Sequence, residues 1–494
     1  MSITYISKRV SNIDQYIRKT VTNIEQCVHG GRVTEYLKHN RTELLDFSAN
    51  FNPIGPPDKG QFEKIIVQAL ENIESYPDNR YIEFNNAAAG FARVKPDNII
   101  PANGSSEAIR LISQTILSKG DVVLLPRPAF DEYELNIRLM DAVPQSINYR
   151  DMFRNPDLIT DDLLGNSKAL FICNPNNPTG TLIERSRLEQ LASRCQENKT
   201  FLVIDEAFIQ LSDPAHSIAD LVFENQFVII IQSLTKVFAI PGIRIGYGIA
   251  HEDLAARMNN IRIPWNLGTI PEVVGTWLLN TYSTDSSYLE RSRELIRVEQ
   301  EWLLKRLSLI RGFEPMPSDT CFILIKIRDF GMDSNEITQH MLEQGIIIRD
   351  CESFKGLGKD YIRVAVRKHD ENQKLIDAFS RSITQWGKEL ADKEIEEAVH
   401  KGKIASRTNC EYYPCHFEGQ DCTFCFCPFY PCGDERTGGE MIGRSTGGTV
   451  WSCAGCDHIH EPEVANKILE ALMVSEGKPE DVKLIWKKVI EPLL

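Results

Sequence analysis

No apolar run in this sequence approaches the roughly 20 residues that a membrane-spanning helix needs; the longest, such as Phe227 to Ile231, are strand-sized. The N-terminus, Met1 to Val10, also lacks the apolar core of a secretory leader. Both absences point to a cytoplasmic protein without membrane contact. Positive charge is in deficit: 55 Lys and Arg stand against 69 Asp and Glu, a formal net charge of −14. That argues against a nucleic-acid binder, which needs clustered cations to meet phosphates. Small anionic substrates remain compatible, because a few local arginines hold those. No internal repeat is evident, and no GxxxxGK[ST] phosphate loop occurs.

What is present is an ordinary globular composition, 42% hydrophobic and 25% charged over 494 residues. At about 150 residues per domain this suggests roughly three domains. From about residue 50 to 285, short apolar strands alternate with helical patterns. Asp121–Leu125, Ala169–Cys173, Phe201–Ile204 and Phe227–Ile231 are nearly continuous in Leu, Ile, Val and Phe, as expected where both faces of a parallel sheet are covered. A helix over Ser105–Leu117 lies between Gly104 and Gly120. The region reads as a layered α/β domain. Residues 286–388 read as a smaller α+β domain, 389–409 as a helical linker, and 410–494 as a cysteine-rich domain. Residues 1–49 form an N-terminal arm and part of the small domain.

Four segments carry chemistry. Asn103-Gly104-Ser105-Ser106-Glu107 opens a helix whose free N–H groups suit an anion. Asn174-Pro175-Asn176-Asn177-Pro178-Thr179-Gly180 is a stiff polar loop after a buried strand. Asp205 ends the strand FLVI, where ligands bind in open α/β sheets. Lys236, in Ser233-Leu234-Thr235-Lys236, follows the strand FVIII, where desolvation would raise its nucleophilicity.

Together, NPNNPTG and SLTKxxxxPGxRxG resemble the fold-type I pyridoxal-phosphate (PLP) enzymes, the aspartate aminotransferase-like superfamily, over roughly residues 25 to 385. The resemblance implies a large, mostly parallel-sheet PLP domain (50–285) and a small α+β domain. It implies that Lys236 is the Schiff-base lysine and that Asp205 pairs with the pyridinium nitrogen. Asn177 would donate to the phenolic oxygen. Ser105, Ser106, Ser233 and Arg244 would bind the cofactor phosphate, and Phe130 would stack on the ring. Tyr76, in Tyr76-Pro77, matches a tyrosine that reaches the phosphate from a partner subunit, which implies a homodimer. Phe208 departs from the tyrosine that many relatives carry there, and so cannot supply a hydroxyl.

Two branches of this superfamily compete, both acting on phosphorylated amino compounds: the histidinol-phosphate aminotransferases and the L-threonine O-3-phosphate decarboxylases of cobamide synthesis. His29-Gly30-Gly31, the segment Asp46–Pro53 (DFSANFNP) and Asp205–Phe208 (DEAF) resemble the decarboxylases, although Arg32 stands where that branch has asparagine. The two glycines allow backbone N–H groups close to a phosphate, and His29 adds a donor. Asn50, Asn177, Arg349 and Arg363 complete the expected substrate contacts; which arginine takes the carboxylate and which the phosphate stays open. Arg367 reads as a surface residue. The implied reaction is decarboxylation of threonine phosphate to (R)-1-amino-2-propanol O-phosphate. Transamination would use the same residues with the substrate turned, and a non-enzymatic PLP-binding regulator is disfavoured because the residue set is complete.

Of 13 cysteines, Cys27, Cys173, Cys195, Cys321 and Cys351 are scattered. The other eight, Cys410, Cys415, Cys422, Cys425, Cys427, Cys432, Cys453 and Cys456, are crowded into the tail with His416, His458 and His460 nearby. Two CxxC pairs about thirty residues apart signal a metal. Eight thiols suffice for two zinc ions, and the CxxCxC run before Pro428 equally suits an iron–sulfur cluster. The tail reads as a metal-stabilised accessory module or a docking module for a cobamide-pathway partner. A second activity, such as an L-threonine kinase using Gly438-Gly439 and Gly443–Gly448 against phosphates, is the alternative.

Overall fold

The computed structural model describes residues 12–31, 44–148, 159–310, 312–327, 331–410, 412–443, 449–475 and 479–494. Arg32 and residues 444–448 lie outside them. The chain divides into two units. The first comprises Met1–Thr338 with Gly345–Asn372, the second Gln339–Gln344 with Gln373–Leu494.

In the first unit, a short strand Leu45–Asp46 (β1) precedes seven strands of one sheet. These are Ile99–Ala102 (β2), Val122–Arg127 (β3), Val143–Asn148 (β4), Ala169–Cys173 (β5), Phe201–Asp205 (β6), Val228–Ser233 (β7) and Gly246–Ala250 (β8). Their order is β2-β8-β7-β6-β5-β3-β4. Strands β3 to β7 pair parallel, while β8 runs antiparallel to both β7 and β2. Alternate residues explain the apolar runs. Leu170, Ile172, Leu202, Ile204 and Ile230 face one core, and Phe171, Cys173, Val203, Ile229 and Ile231 face another. A strand covered on both sides has no polar face to display. The expected Ser105 helix spans Ser105–Ile116.

A smaller four-stranded sheet follows, of Phe313–Pro315 (β9), Phe322–Ile327 (β10), Arg349–Asp350 (β12) and Tyr361–Ala365 (β13), with the short strand Ile346–Ile347 (β11) preceding β12. Its antiparallel order is β12-β13-β10-β9, and β1 pairs parallel with β11, so the arm's end joins this layer.

The helical linker expected over residues 389–409 is helical only to Lys401, as the end of one longer helix, His369–Lys401. Ile395 and Ala398 of that helix pack with Phe424, Ala465, Ile468, Leu469 and Leu472 in a core of their own. The helix Pro462–Ser475 supplies the last four of these. Strands Glu440–Gly443 (β14) and Thr449–Ser452 (β15) form a hairpin. Gly438 and Gly439 serve packing: a Cβ on Gly438 would lie 2.3 Å from the Gly455 oxygen, and one on Gly439 would lie 2.4 Å from the Trp451 indole. The Gly438 N–H donates to the Glu435 carbonyl, and the Gly439 N–H to Thr437 Oγ1. Among the described residues, no helix is long and apolar enough to cross a membrane.

Candidate active site

Three parallel strands deliver the chemistry at their C-terminal ends. Strand β5 leads into Asn174–Gly180, β6 ends on Asp205, and β7 leads through Ser233 into the turn that carries Lys236. Because neighbouring parallel strands end together, residues far apart in sequence meet at this edge.

Asp205 is buried. Tyr133 donates its hydroxyl to Oδ2 at 2.8 Å, and the Ala207 N–H donates to Oδ1 at 3.0 Å. Burial still pushes this carboxyl up to about 6, while both hydrogen bonds and the Lys236 charge pull the other way. Burial draws the Lys236 amine down to about 8, with the Arg363 and Arg244 cations acting in the same direction and Cys321 and Asp205 opposing. A lysine so placed has a reactive neutral fraction near neutral pH. The Asn52 N–H donates to the Lys236 carbonyl at 3.0 Å, and the Asn52 amide bonds the Val237 carbonyl, Tyr288 and Ser292. Segment 50–52 thus braces the lysine turn.

An anion cradle lies beside it. Gly104, at φ +77°, precedes Ser105 and Ser106 at the start of their helix, and a Cβ there would stand 2.6 Å from Arg244 Nη2. The missing side chain lets the guanidinium lie against the helix N-terminus. In β8, a Cβ on Gly246 would meet the Gln232 carbonyl at 2.6 Å and Ser105 N at 3.3 Å. Ser233 Oγ and Thr235 Oγ1 are 2.8 Å apart. This combination of helix N–H groups, hydroxyls and a guanidinium suits a phosphate.

The small sheet contributes two cations. Arg349 and Arg363 are cross-strand partners on β12 and β13, so they share a face. Arg363 is buried, donates to Asn177 Oδ1 and to the Ser48 carbonyl, and lies 5.2 Å from the Phe322 ring centre. Burial lowers it to about 10, so it stays a cation at neutral pH. The Asn50 amide oxygen, turned towards Arg363, would accept from it at 3.2 Å. Arg349 donates to the Val28 carbonyl and to Ser353, both at 2.8 Å.

The N-terminal arm reaches this cluster. The Gly31 N–H donates to Ser48 Oγ at 2.9 Å, and a Cβ on Gly30 would collide with the Ser48 carbonyl at 2.4 Å. His29 pairs with Glu132 at 2.9 Å and lies 5.6 Å from the Phe130 ring. Phe208 packs edge-on against Phe322 at 5.2 Å, forming an apolar wall with Leu211, Ile296 and Cys321. Tyr76 is 79% exposed and stacks on Trp265.

Sequence reasoning missed Tyr133, although a tyrosine three residues after Phe130 on the same helix, Asp131–Leu139, is the available signal. It also misjudged Arg367. That guanidinium is part-buried, donates to the Asp46 carbonyl and to Glu371, and covers the Phe47 and Phe51 rings. A long cation can cover aromatic surface with its head still paired. The eight tail cysteines are all free thiols. Among the described residues, no group of three or more His, Cys, Asp or Glu side chains is gathered that could hold a metal ion.

Residues 42–379 match the family of class I and II aminotransferases, and residues 401–481 match a cysteine-rich small domain. The threonine-phosphate decarboxylase of Salmonella typhimurium is 30% identical over 362 residues, 72% of this chain and 96% of that protein. The histidinol-phosphate aminotransferase of Thermoanaerobacter pseudethanolicus is 31% identical over 355 residues, 70% of this chain and 95% of that one. Among solved structures, the histidinol-phosphate aminotransferase of Clostridium acetobutylicum superposes with a TM-score of 0.60 at 29% identity, over 69% of this chain and all of that one. With its mixed central sheet, smaller antiparallel layer and lysine at the sheet's edge, the chain belongs to the aminotransferase class I and II family and carries a cysteine-rich small domain in addition.

Proposed function

We propose that the chain is a PLP-dependent decarboxylase of L-threonine O-3-phosphate, acting in cobamide synthesis. One observation carries the choice of substrate: Arg349 and Arg363 stand opposite each other on paired strands, beside the His29–Gly31 arm. Directly opposed residues lie only about 5 Å apart at Cα. Two cations so close suit a short substrate with anions on adjacent carbons, a carboxylate and a phosphate. Histidinol phosphate itself has a phosphate and no carboxylate, whereas threonine phosphate carries both for the two guanidinia.

The residues present fit PLP. The cradle of Gly104–Ser106, Ser233 and Arg244 takes the phosphate, Phe130 covers the ring, Asn177 meets the phenolic oxygen and Asp205 meets the ring nitrogen. Lys236 would hold the aldehyde carbon. When bound, PLP supplies an electron sink for the pair left at Cα. Asp205, kept ionised by Tyr133 and Ala207, holds a proton on the ring nitrogen. Arg349 and Arg363 would hold the substrate's two anions and so set which bond at Cα is presented to the cofactor. Phe208 and Phe322 keep water from that side, and Lys236 returns a proton to Cα. A partner subunit's tyrosine at position 76 would complete the phosphate contacts, so a homodimer is part of this reading. The cysteine-rich unit is a metal-stabilised accessory module.

The test is a substrate comparison. The PLP-loaded chain should change its visible band with threonine phosphate and release CO2. Amination of 2-oxoglutarate by histidinol phosphate without CO2 release from threonine phosphate would establish the aminotransferase instead.

A further inference from the structure

The guanidinia of Arg349 and Arg363 are both backed by one loop, residues 351–357, which leaves β12 and returns to β13. The Phe354 N–H donates to the Cys351 carbonyl at 3.0 Å, and the Leu357 N–H donates to the Phe354 carbonyl at 3.1 Å, so the loop is two successive tight turns. Within it, Ser353 Oγ accepts from Arg349 Nη2 at 2.8 Å. The buried Phe354 ring has its centre 5.2 Å from the Arg349 guanidinium carbon and 5.8 Å from that of Arg363. One ring is therefore within cation–π range of both cations.

The next residue, Lys355, reaches across to the large sheet's side. Its Nζ donates to Glu134 Oε1 at 2.5 Å. Glu134 is buried on the helix Asp131–Leu139, which begins directly after Phe130 and also carries Tyr133. Its carboxylate is already anchored there: Oε2 accepts from Arg127 at the end of β3, and Oε1 accepts from Arg138 at 2.7 Å. A carboxylate has about four lone-pair positions, so a third cation is accommodated. Of these three cations, Lys355 alone comes from the loop. Gly356, at φ +98°, lets the backbone lie close by: a Cβ there would stand 3.7 Å from Arg127 Cβ and 4.0 Å from Pro128 N. The loop thus runs in contact with the segment that delivers Phe130.

We propose that Lys355 is a positioning residue for substrate binding: its ion pair with Glu134 sets the loop whose Ser353 and Phe354 hold Arg349 and Arg363 towards the substrate's anions. This rests on the reading of those arginines as substrate ligands and adds the residue that fixes their direction. Lys355 itself makes no bond to the substrate. Its side chain is 60% exposed, so the pair contributes little to the stability of the fold. Its effect lies in the geometry of two buried cations, where small displacements weaken binding.

The test uses the PLP-loaded full-length chain with threonine phosphate, following CO2 release. Lys355→Met keeps the aliphatic stem and removes the charge. KM should rise about fivefold, the most that an ion pair of this exposure contributes, while kcat and PLP affinity stay within about twofold. Lys355→Arg should restore KM. Arg138→Met takes a different cation from the same carboxylate, one that does not belong to the loop, and should leave KM unchanged. An unchanged KM in Lys355→Met overturns the proposal. So does an equal rise in Arg138→Met, which would trace the effect to the charge of Glu134 rather than to the loop. A loss of PLP affinity with KM unchanged would make Lys355 merely structural and overturns it too. Inorganic phosphate, titrated calorimetrically into the loaded native and Lys355→Met chains, reads the arginine pair without turnover. Weaker phosphate binding in Lys355→Met, with no CO2 released from threonine phosphate by either chain, would sustain the role of Lys355 while the substrate assignment falls. Equal phosphate binding by both chains overturns that role whatever the substrate.

Discussion

At the scale of single residues, the site rests on a buried carboxylate whose environment works against its charge. Asp205 is pushed up to about 6 from an ordinary 3.8. Between those values the folded chain retains a proton that the unfolded chain has released. The unloaded chain should therefore lose stability as pH rises from 3.8 to about 6, and Asp205→Asn should flatten that slope in thermal unfolding. Tyr133 opposes the shift. Tyr133→Phe removes a hydrogen bond to a charged group, worth roughly 1.5 kcal/mol, so PLP should bind about tenfold more weakly. The pH midpoint of cofactor binding should also move upward; a merely structural role for the hydroxyl would leave the midpoint unchanged. The placement of Lys236, Asp205 and Asn177 after strand ends was legible in the sequence because each lies in a distinctive motif. Tyr133 was not, since its importance comes from the approach of two elements that the sequence holds far apart. Arg367 read as surface because nothing in its neighbours announces the two aromatic rings beneath it.

At the scale of elements, the helix start Ser105–Ile116 depends on a residue without a side chain. Gly104→Ala would force a positive φ on alanine and drive its Cβ to 2.6 Å from the Arg244 guanidinium. The backbone term alone is about 1 kcal/mol or more, so phosphate and PLP affinity should fall at least fivefold, read by cofactor titration. An unchanged affinity would show that the cradle lies elsewhere. Strands β3, β5, β6 and β7 were legible as unbroken apolar runs. Strand β8, with the sequence GYGIA, was not, because its two glycines interrupt the apolar run, although Gly246 is required by the close approach of Gln232 and Ser105. Strand β4 was hidden for the opposite reason: Val143–Asn148 is largely exposed and includes a proline, so it lacks the apolar signature of a central strand.

At the scale of the whole molecule, the composition changes near residue 400, whereas the division between the two units falls earlier, within the helix His369–Lys401. Charge and helix formers look alike on either side of a division that falls within one helix. The second unit has its own core, with Ile468 fully buried. Ile468→Ala should destabilise that unit by about 2–5 kcal/mol while PLP binding by the first unit is retained. Calorimetry paired with cofactor absorbance would show one transition moving alone. A common shift of both would mean that the units unfold together.

The run from Asp46 to Asn52 has a mechanical consequence. Phe47 bonds both Ile347 and Ala365, Ser48 holds Gly31 and Arg363, and Asn52 grips the lysine turn. Seven consecutive residues thus act as a short rigid tie-rod between the anion clamp and the reactive amine. Its length sets the gauge of the cleft. Lengthening the rod by a single inserted residue would alter which substrates reach both ends, and would do so without touching any group that performs chemistry.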